Sequence, residues 1–167
     1  MYSALRGFNF ARPGNRFWPT FNAAGLAPQK LEPSKASVLR LLRQRQLGFT
    51  DVVRRATDRA DQLTDDDYRR GARALKRKLM RHRPAIAWFQ GVSAFRKYLE
   101  FTQGTKRKVR TGLQPERIGA TLVFVTPNPS GANPAANPKL LLPWYRKLKN
   151  LRDRLRRAPV PRASKLT

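Results

Sequence analysis

The chain has 167 residues, which is enough for one domain with its own hydrophobic core. Its 36 Lys and Arg against 10 Asp and Glu give a formal charge of +26, so we expect a polyanion as partner. No apolar run approaches the ~18 residues of a membrane-spanning helix, and the lack of Cys excludes disulfides and thiolate metal sites.

The first sixty residues predict two short helices after an initial loop over residues 1–14. Asn15 is a candidate N-cap for the first helix, which ends at Gly25. The aromatic residues of this helix are Phe17, Trp18 and Phe21. Apolar residues between Val38 and Leu42 predict the second helix, which we expect to stop near Gly48.

A longer helix is predicted to begin at Thr64, which has the side chain of an N-cap. The acidic run Asp65–Asp67 suits the positive end of a helix, and a Lys/Arg cluster follows toward the other end. The residues expected on its buried face, at helical spacing, are Tyr68, Ala72, Leu75 and Leu79.

The second half of the chain alternates strands and helices. PAIAWFQG (84–91) and ATLVFVTP (120–127) are short apolar runs typical of buried parallel strands. Residues 92–101 predict the helix that crosses back between them, residues 108–111 a short edge strand, and residues 143–157 a final basic helix.

This order predicts an α/β fold in three layers, with a short, mostly parallel sheet flanked by helices. We expect a single domain over residues 1–157 and a basic, flexible tail over residues 158–167. Ligands of such folds bind beyond the carboxyl ends of the strands. A site is therefore expected where Gln90-Gly91 and Asn128-Pro129-Ser130-Gly131 follow the two strands.

The basic residues are clustered. Residues 69–83 contain eight Lys/Arg and no acid, and residues 139–167 contain ten with the single acid Asp153. A charge run can be a solvated helix face, but this imbalance favours contact with phosphates. The sole His, His82, has neither Cys nor acids beside it, so neither a metal site nor a catalytic triad is indicated.

Two stretches, GFNFARPGNRFW (7–18) and VTPNPSG (125–131), resemble the mismatch-specific uracil/thymine DNA glycosylases of the uracil-DNA glycosylase superfamily. Three stretches between them resemble the same family, and the likeness covers about residues 5–155. These are GFTDVVRRAT (48–57), LTDDDYRRGARAL (63–75) and PAIAWFQG (84–91).

The resemblance implies base-excision repair. Such enzymes flip uracil, or thymine mispaired with guanine, out of double-stranded DNA and hydrolyse its N-glycosidic bond. It implies no cofactor and no metal, and we expect a monomer. The protein is expected at the chromosome, in the cytoplasmic nucleoid if bacterial or in the nucleus if eukaryotic.

The resemblance also implies site residues. Phe10 matches the aromatic that stacks on the flipped base, and Asn128 matches an Asn near base and sugar, whose amide can assist the leaving base. Phe10 could instead be a core residue, and Asn128 a turn residue. The residues expected to contact DNA are Asn15, Ser130, Gly131, Ala132, Asn133 and Lys139; Asn15 could instead fix the start of a helix.

The loop after Gly131 resembles the wedge that fills the place of the flipped base. The bacterial archetype has a Leu and an Arg there, whereas this chain has Ala132 and Pro134. The small residues predict a weaker plug and a weaker grip on the orphaned guanine. Asn133 and Asn137 are the side chains there that could form hydrogen bonds instead.

The family begins with a buried strand and a Gly-Ile-Asn-Pro-Gly-like turn whose Asn positions the attacking water, whereas only MYSALR precedes GFNF here. We therefore expect a sheet without that strand and a site without that Asn. A late start or a fragment, an inactive remnant, or another water-activating group would each explain this. Asp65 and Asp66 are the candidate carboxylates, with helix capping as their alternative role.

Two alternatives to a glycosylase stay open from the sequence. One is a catalytically inactive, truncated homologue that still binds DNA. The other is a basic RNA-binding or ribosome-associated protein. A binder of either kind would show salt-dependent affinity and would form no abasic sites.

Overall fold

A computed structural model describes residues 2–57, 62–131, 133 and 136–157. The predicted tail over residues 158–167 lies outside them. The described residues form an α/β fold in which no helix is long and apolar enough to cross a membrane. The elements are α1 Tyr2–Arg6, α2 Phe17–Ala23, α3 Lys35–Arg45, α4 Asp65–His82, β1 Ile86–Gln90, α5 Val92–Gln103, β2 Gly112–Ile118, β3 Thr121–Thr126 and α6 Pro138–Arg157.

The sheet has the strand order β1-β3-β2, and β3 is central. β1 pairs with β3 in parallel, from Ile86 opposite Leu122 to Gln90 opposite Thr126, as the two apolar runs predicted. No strand precedes β1 in the described part of the chain, where Tyr2–Arg6 is helical.

The edge strand β2 lies at Gly112–Ile118, so the prediction of a strand at residues 108–111 was wrong. A two-residue turn at Gly119-Ala120 joins β2 to β3, and Gly119 has φ +61°. So short a connection can only make an antiparallel pair. Val109, within the predicted stretch, is buried in the core without belonging to the ladder.

Helices cover both faces of the sheet, which gives the three predicted layers. On one face α4 and α5 pack on Ala87, Phe89, Val123 and Val125. On the other face α2, α3 and α6 surround an aromatic cluster that reaches Trp88. The aromatic members of that cluster that are at most 1% exposed are Phe17, Trp18, Phe21 and Tyr145.

The start of α4 is a capping box, as the TDDD run predicted. The Thr64 hydroxyl accepts from the Asp67 N–H, and the Asp67 carboxylate accepts from the Thr64 N–H. These bonds and Arg55 lower the pKa of Asp67 to about 2. Of the predicted inner face, Ala72, Leu75 and Leu79 are buried and Tyr68 is half-buried.

Helix α6 begins at Pro138, five residues before the predicted start at Pro143. Pro138 occupies the first helical position, which tolerates proline, and the Asn137 side chain accepts from the Lys139 N–H. Pro143 lies inside the helix and costs it one backbone hydrogen bond. The buried contacts of Leu141 and Tyr145 on either side offset that loss.

Two other helix ends differ in detail from the prediction. The N-cap of α2 is Arg16, but the side chain of Asn15 supplies the acceptor, 2.9 Å from the Phe17 nitrogen. Helix α3 ends at Arg45 rather than near Gly48, because Gln46 takes the left-handed conformation that closes a helix.

Gly71 allows the segment around Val52 to lie against α4. A Cβ at this position would stand 2.2 Å from the Val52 carbonyl oxygen. We expect Gly71→Ala to lower the free energy of unfolding by about 1–3 kcal/mol, as overpacking does, although alanine is the better helix former. Arg73→Ala on the exposed face of α4 is the matched control and should change it by less than about 0.5 kcal/mol. Urea unfolding of both variants tests this, and a stabilised Gly71→Ala would contradict it.

Candidate active site at the carboxyl ends of β1 and β3

The ends of the two parallel strands meet at Gly91 and Asn128. The Gly91 N–H donates to the Thr126 carbonyl at 2.8 Å. Gly91 has φ +126°, and a Cβ on it would stand 3.4 Å from the Asn128 Cβ. Glycine is needed here both for the backbone conformation and for the close approach, which sets the NPSG loop beside the end of β1.

The NPSG loop and the N-terminal motif, more than a hundred residues apart in sequence, are in contact. The Arg16 N–H donates to the Pro129 carbonyl at 3.0 Å. A Cβ on Gly131 would stand 2.9 Å from the Gly14 carbonyl oxygen, so the two backbones touch. The structure thus brings together the two stretches that carried the resemblance.

Phe10 forms an aromatic platform at this place. Its ring stacks on Phe17, with centroids 4.2 Å apart, and forms a T-shaped pair with Phe49 at 6.1 Å. Phe10 is half-buried and packs against the aromatic cluster, so part of its ring remains open to solvent. Its φ of +59° is strained for an aromatic residue, and such strain is concentrated at functional sites.

The side-chain oxygen of Asn128 stabilises a turn, while its side-chain nitrogen is available as a hydrogen-bond donor. Its Oδ1 accepts from the Ser130 N–H at 3.0 Å, and its carbonyl accepts from the Asn133 side-chain amide at 2.9 Å. A backbone N–H can only donate, so the bond from Ser130 requires that the side-chain oxygen of Asn128, and not its nitrogen, faces the turn. The Nδ2 group is left without an acceptor in the described residues, on an exposed side chain.

Gln90 is held in place by buried hydroxyls. The Trp88 indole N–H donates to the Thr126 hydroxyl at 2.9 Å, and that hydroxyl donates to Gln90 Oε1 at 3.2 Å. The Tyr145 hydroxyl donates to the same oxygen at 3.0 Å. Burial raises the pKa of Tyr145 strongly, so this hydroxyl keeps its proton. Gln90 Nε2 therefore remains a donor with no acceptor among the described residues.

Asp51 is a carboxylate that the sequence analysis missed. Its Oδ1 is 3.5 Å from the Asn9 amide nitrogen, and it lines a cleft of about 420 Å³ against α4. Desolvation raises the pKa of this carboxyl above its ordinary 3.8, against the opposing effect of Lys78. The signal was available, since Asp51 is the acid of GFTDVVRRAT, but its surroundings depend on packing against α4.

Asp65 lies at the exposed first turn of α4. Its carboxylate accepts from Lys97 of α5 at 2.8 Å, and this bond lowers its pKa. Asp66 pairs with Arg69. These are the contacts of a helix N-terminus and of the interface between α4 and α5. A catalytic role of Asp65 stays a prediction, and no contact of the described residues joins it to Phe10 or Asn128.

The structure places some of the residues predicted to contact DNA in one loop and others elsewhere. Ser130 and Gly131 belong to the loop that contacts the N-terminal motif, and Asn133 donates back to that loop. Asn15 supports the start of α2, and Lys139 is exposed in the first turn of α6. Ala132 and Pro134 lie outside the described residues.

No cluster of three or more His, Cys, Asp or Glu side chains that could hold a metal ion occurs in the ranges that the structure describes.

A family model described as the uracil DNA glycosylase superfamily matches residues 1–149. The chain therefore belongs to the uracil-DNA glycosylase superfamily. The match is to the superfamily as a whole, so membership of its mismatch-specific branch stays a prediction.

The opposite pKa shifts of Asp51 and Asp65 predict opposite pH effects on stability. A raised folded-state pKa means that ionised Asp51 destabilises the fold, so stability falls as pH rises from 3.8 through the raised value. The folded-state pKa of Asp65 is lowered, so ionised Asp65 stabilises the fold above pH 3.8. This stabilisation is lost as the pH falls through the lowered pKa. Because Asp51 is exposed and Lys78 opposes the shift, Asp51→Asn should raise the melting temperature at about pH 7 only slightly, and Asp65→Asn should lower it slightly.

Both differences should shrink on acidification below 3.8, where the carboxyls are protonated in the unfolded chain as well. Thermal unfolding followed by circular dichroism over an acid-to-neutral pH series measures them. Equal shifts of the same sign for both variants would contradict the assignment of Asp51 as the desolvated carboxyl.

Proposed function

We propose that the protein is a base-excision repair glycosylase that hydrolyses the N-glycosidic bond of uracil, and of thymine, opposite guanine in double-stranded DNA. The observation that carries this proposal is the backbone contact at the strand ends between the NPSG loop, which holds Asn128, and the N-terminal motif, which holds Phe10. Superfamily membership and the charge of +26 support it.

The platform would receive the flipped base. Stacking of a base on the solvent-accessible part of the Phe10 ring would contribute about 1–3 kcal/mol, which offsets part of the few kcal/mol that extrusion from the duplex costs. Phe17 holds the ring from behind, because it is itself fully buried and stacked on Phe10. A platform that is already in place loses little conformational entropy when the base arrives.

The amide donors would stabilise the leaving base. Hydrolysis breaks the bond between sugar C1′ and the base nitrogen, leaves the electron pair on the base and develops positive charge on the sugar. Asn128 Nδ2 and Gln90 Nε2 are oriented donors that could meet negative charge on the departing base. Water then bonds to C1′ and releases one proton.

Asp51 is the carboxylate that we assign to the attacking water. Among the carboxyls of the described residues, it is joined to the N-terminal motif, through Asn9, and Phe49 beside it touches Phe10. Its raised pKa favours proton acceptance over permanent ion pairing. The loop over residues 128–138 would enter the duplex, where Asn133 offers a hydrogen-bonding side chain opposite the orphaned guanine.

Asn128→Ala tests the leaving-group role. Loss of one such donor lowers the chemical rate by a factor of about 10²–10³, so single-turnover excision from a duplex with one G·U pair should slow by that factor. Binding of the same duplex should change far less, since the phosphate contacts remain. The control is Asn150→Ala, an exposed asparagine of α6, which should leave both unchanged.

Equal losses of rate and binding in Asn128→Ala would assign Asn128 to binding alone. A wild-type protein that binds the duplex but forms no abasic site would establish the inactive DNA-binding alternative. Comparing G·U, G·T and A·U duplexes in the same assay decides the mismatch preference.

Phe10→Gly separates a base platform from a core residue. Glycine relieves the strain of φ +59° but removes the ring, so the melting temperature should change little. Excision should slow by about 10–100-fold, the equivalent of a lost stacking interaction of about 1–3 kcal/mol. Phe17→Ala, in the buried core, should instead destabilise by about 3–5 kcal/mol. A Phe10→Gly variant that melts early yet cuts at the normal rate would make Phe10 a core residue.

A further inference from the structure

The outward face of α4 carries arginines at four-residue intervals. Arg69, Arg73, Arg77 and Arg81 are all exposed, and residues four apart lie above one another on a helix. We call these four residues the α4 arginine stripe. It extends over about 18 Å, at 1.5 Å per residue.

Most of the stripe has no counter-charge. Arg69 pairs with Asp66, but Arg73, Arg77 and Arg81 form no ion pair or hydrogen bond with the described residues. Like charges at this spacing destabilise a helix. Lys76, exposed beside the stripe, adds to the excess. The surface is therefore complementary to a polyanion that the described chain does not itself supply.

The stripe lies on the side of α4 that faces away from the sheet. The opposite face of α4 packs on the sheet through Ala72, Leu75 and Leu79. The helix ends next to the start of β1, and a Cβ on Gly119 in the β2–β3 turn would meet the Met80 sulfur. The stripe thus runs along the flank toward the end of the sheet that is opposite Asn128.

We propose that the α4 arginine stripe binds the phosphate backbone of a second DNA duplex segment while the candidate active site holds the first. One molecule then bridges two segments. The proposal rests on the proposed function only in taking duplex DNA as the polyanion. Arginine contacts with phosphate position a duplex without reading its sequence, so the second segment needs no mismatch.

Capture of a second duplex tests the bridge. A duplex with one G·U pair is fixed to beads and loaded with the protein, and a labelled duplex without a mismatch is then offered. The wild-type protein should capture the labelled duplex. The triple variant Arg73→Gln, Arg77→Gln, Arg81→Gln should lose capture but stay on the fixed duplex. The slope of log K against log salt for the second duplex should fall by about 2.7 for three lost contacts.

A charge-matched control separates the stripe from net charge. Lys35→Gln, Arg40→Gln and Arg43→Gln remove the same charge from exposed positions on α3, outside both basic clusters. This control should capture like the wild type. Glutamine keeps helix propensity close to that of arginine, so the stripe variant should melt no earlier than the wild type.

The proposal is overturned if the wild type captures no second duplex, if the stripe variant still captures it, or if both triple variants lose capture equally. Preferential capture of an RNA hairpin or an anionic vesicle would also overturn the choice of duplex DNA. Single-turnover excision by the stripe variant should match the wild type. A wild type that bridges but does not excise would contradict the proposed function and leave the bridge standing.

Discussion

The parallel pairing of β1 with β3 is the constraint on which the candidate site depends. Parallel strands place the segments that follow them at the same end of the sheet, so Gly91 and Asn128 meet although 36 residues separate them. The glycine conformation then lets the NPSG loop lie against β1, and that loop in turn holds the N-terminal motif through the Arg16–Pro129 hydrogen bond. The position of the aromatic platform is therefore set by backbone contacts that begin at the strand ends.

The same strand ends orient the polar side chains of the site. Thr126 is fully buried, and its hydroxyl accepts from the Trp88 indole and donates to Gln90 Oε1, which ties the amide of Gln90 to both strands. Tyr145 reaches this network from α6, so the helix that covers the aromatic cluster also fixes a donor at the site. Hydrogen-bond donors held in this way need no reorganisation when charge develops on a ligand, which is the physical basis of electrostatic catalysis.

The elements that could be predicted from the sequence are those determined by residues close to one another in the chain. The apolar runs of β1 and β3, the capping box of α4 and its buried face follow from residues close in sequence, and each was confirmed. β2 was misplaced because an edge strand alternates polar and apolar residues, and its pairing is decided by the turn at Gly119. The start of α6 was placed too late because Pro143 is tolerated inside the helix by the tertiary contacts around it. Asp51 was missed for the same kind of reason, since its desolvation comes from packing against a helix that follows it in the chain.

The distribution of charge links stability to binding. The acids of α4 lie in its first turn, where they complement the helix N-terminus, while the uncompensated arginines lie beyond them. A chain with a net charge of +26 repels itself when folded, and the compact state is less favourable for it. Any ligand that binds the folded state in preference to the unfolded one stabilises it, and a polyanion also removes part of the repulsion. Folding and polyanion binding are thus coupled, because the same positive charges that destabilise the folded state strengthen its binding to a polyanion.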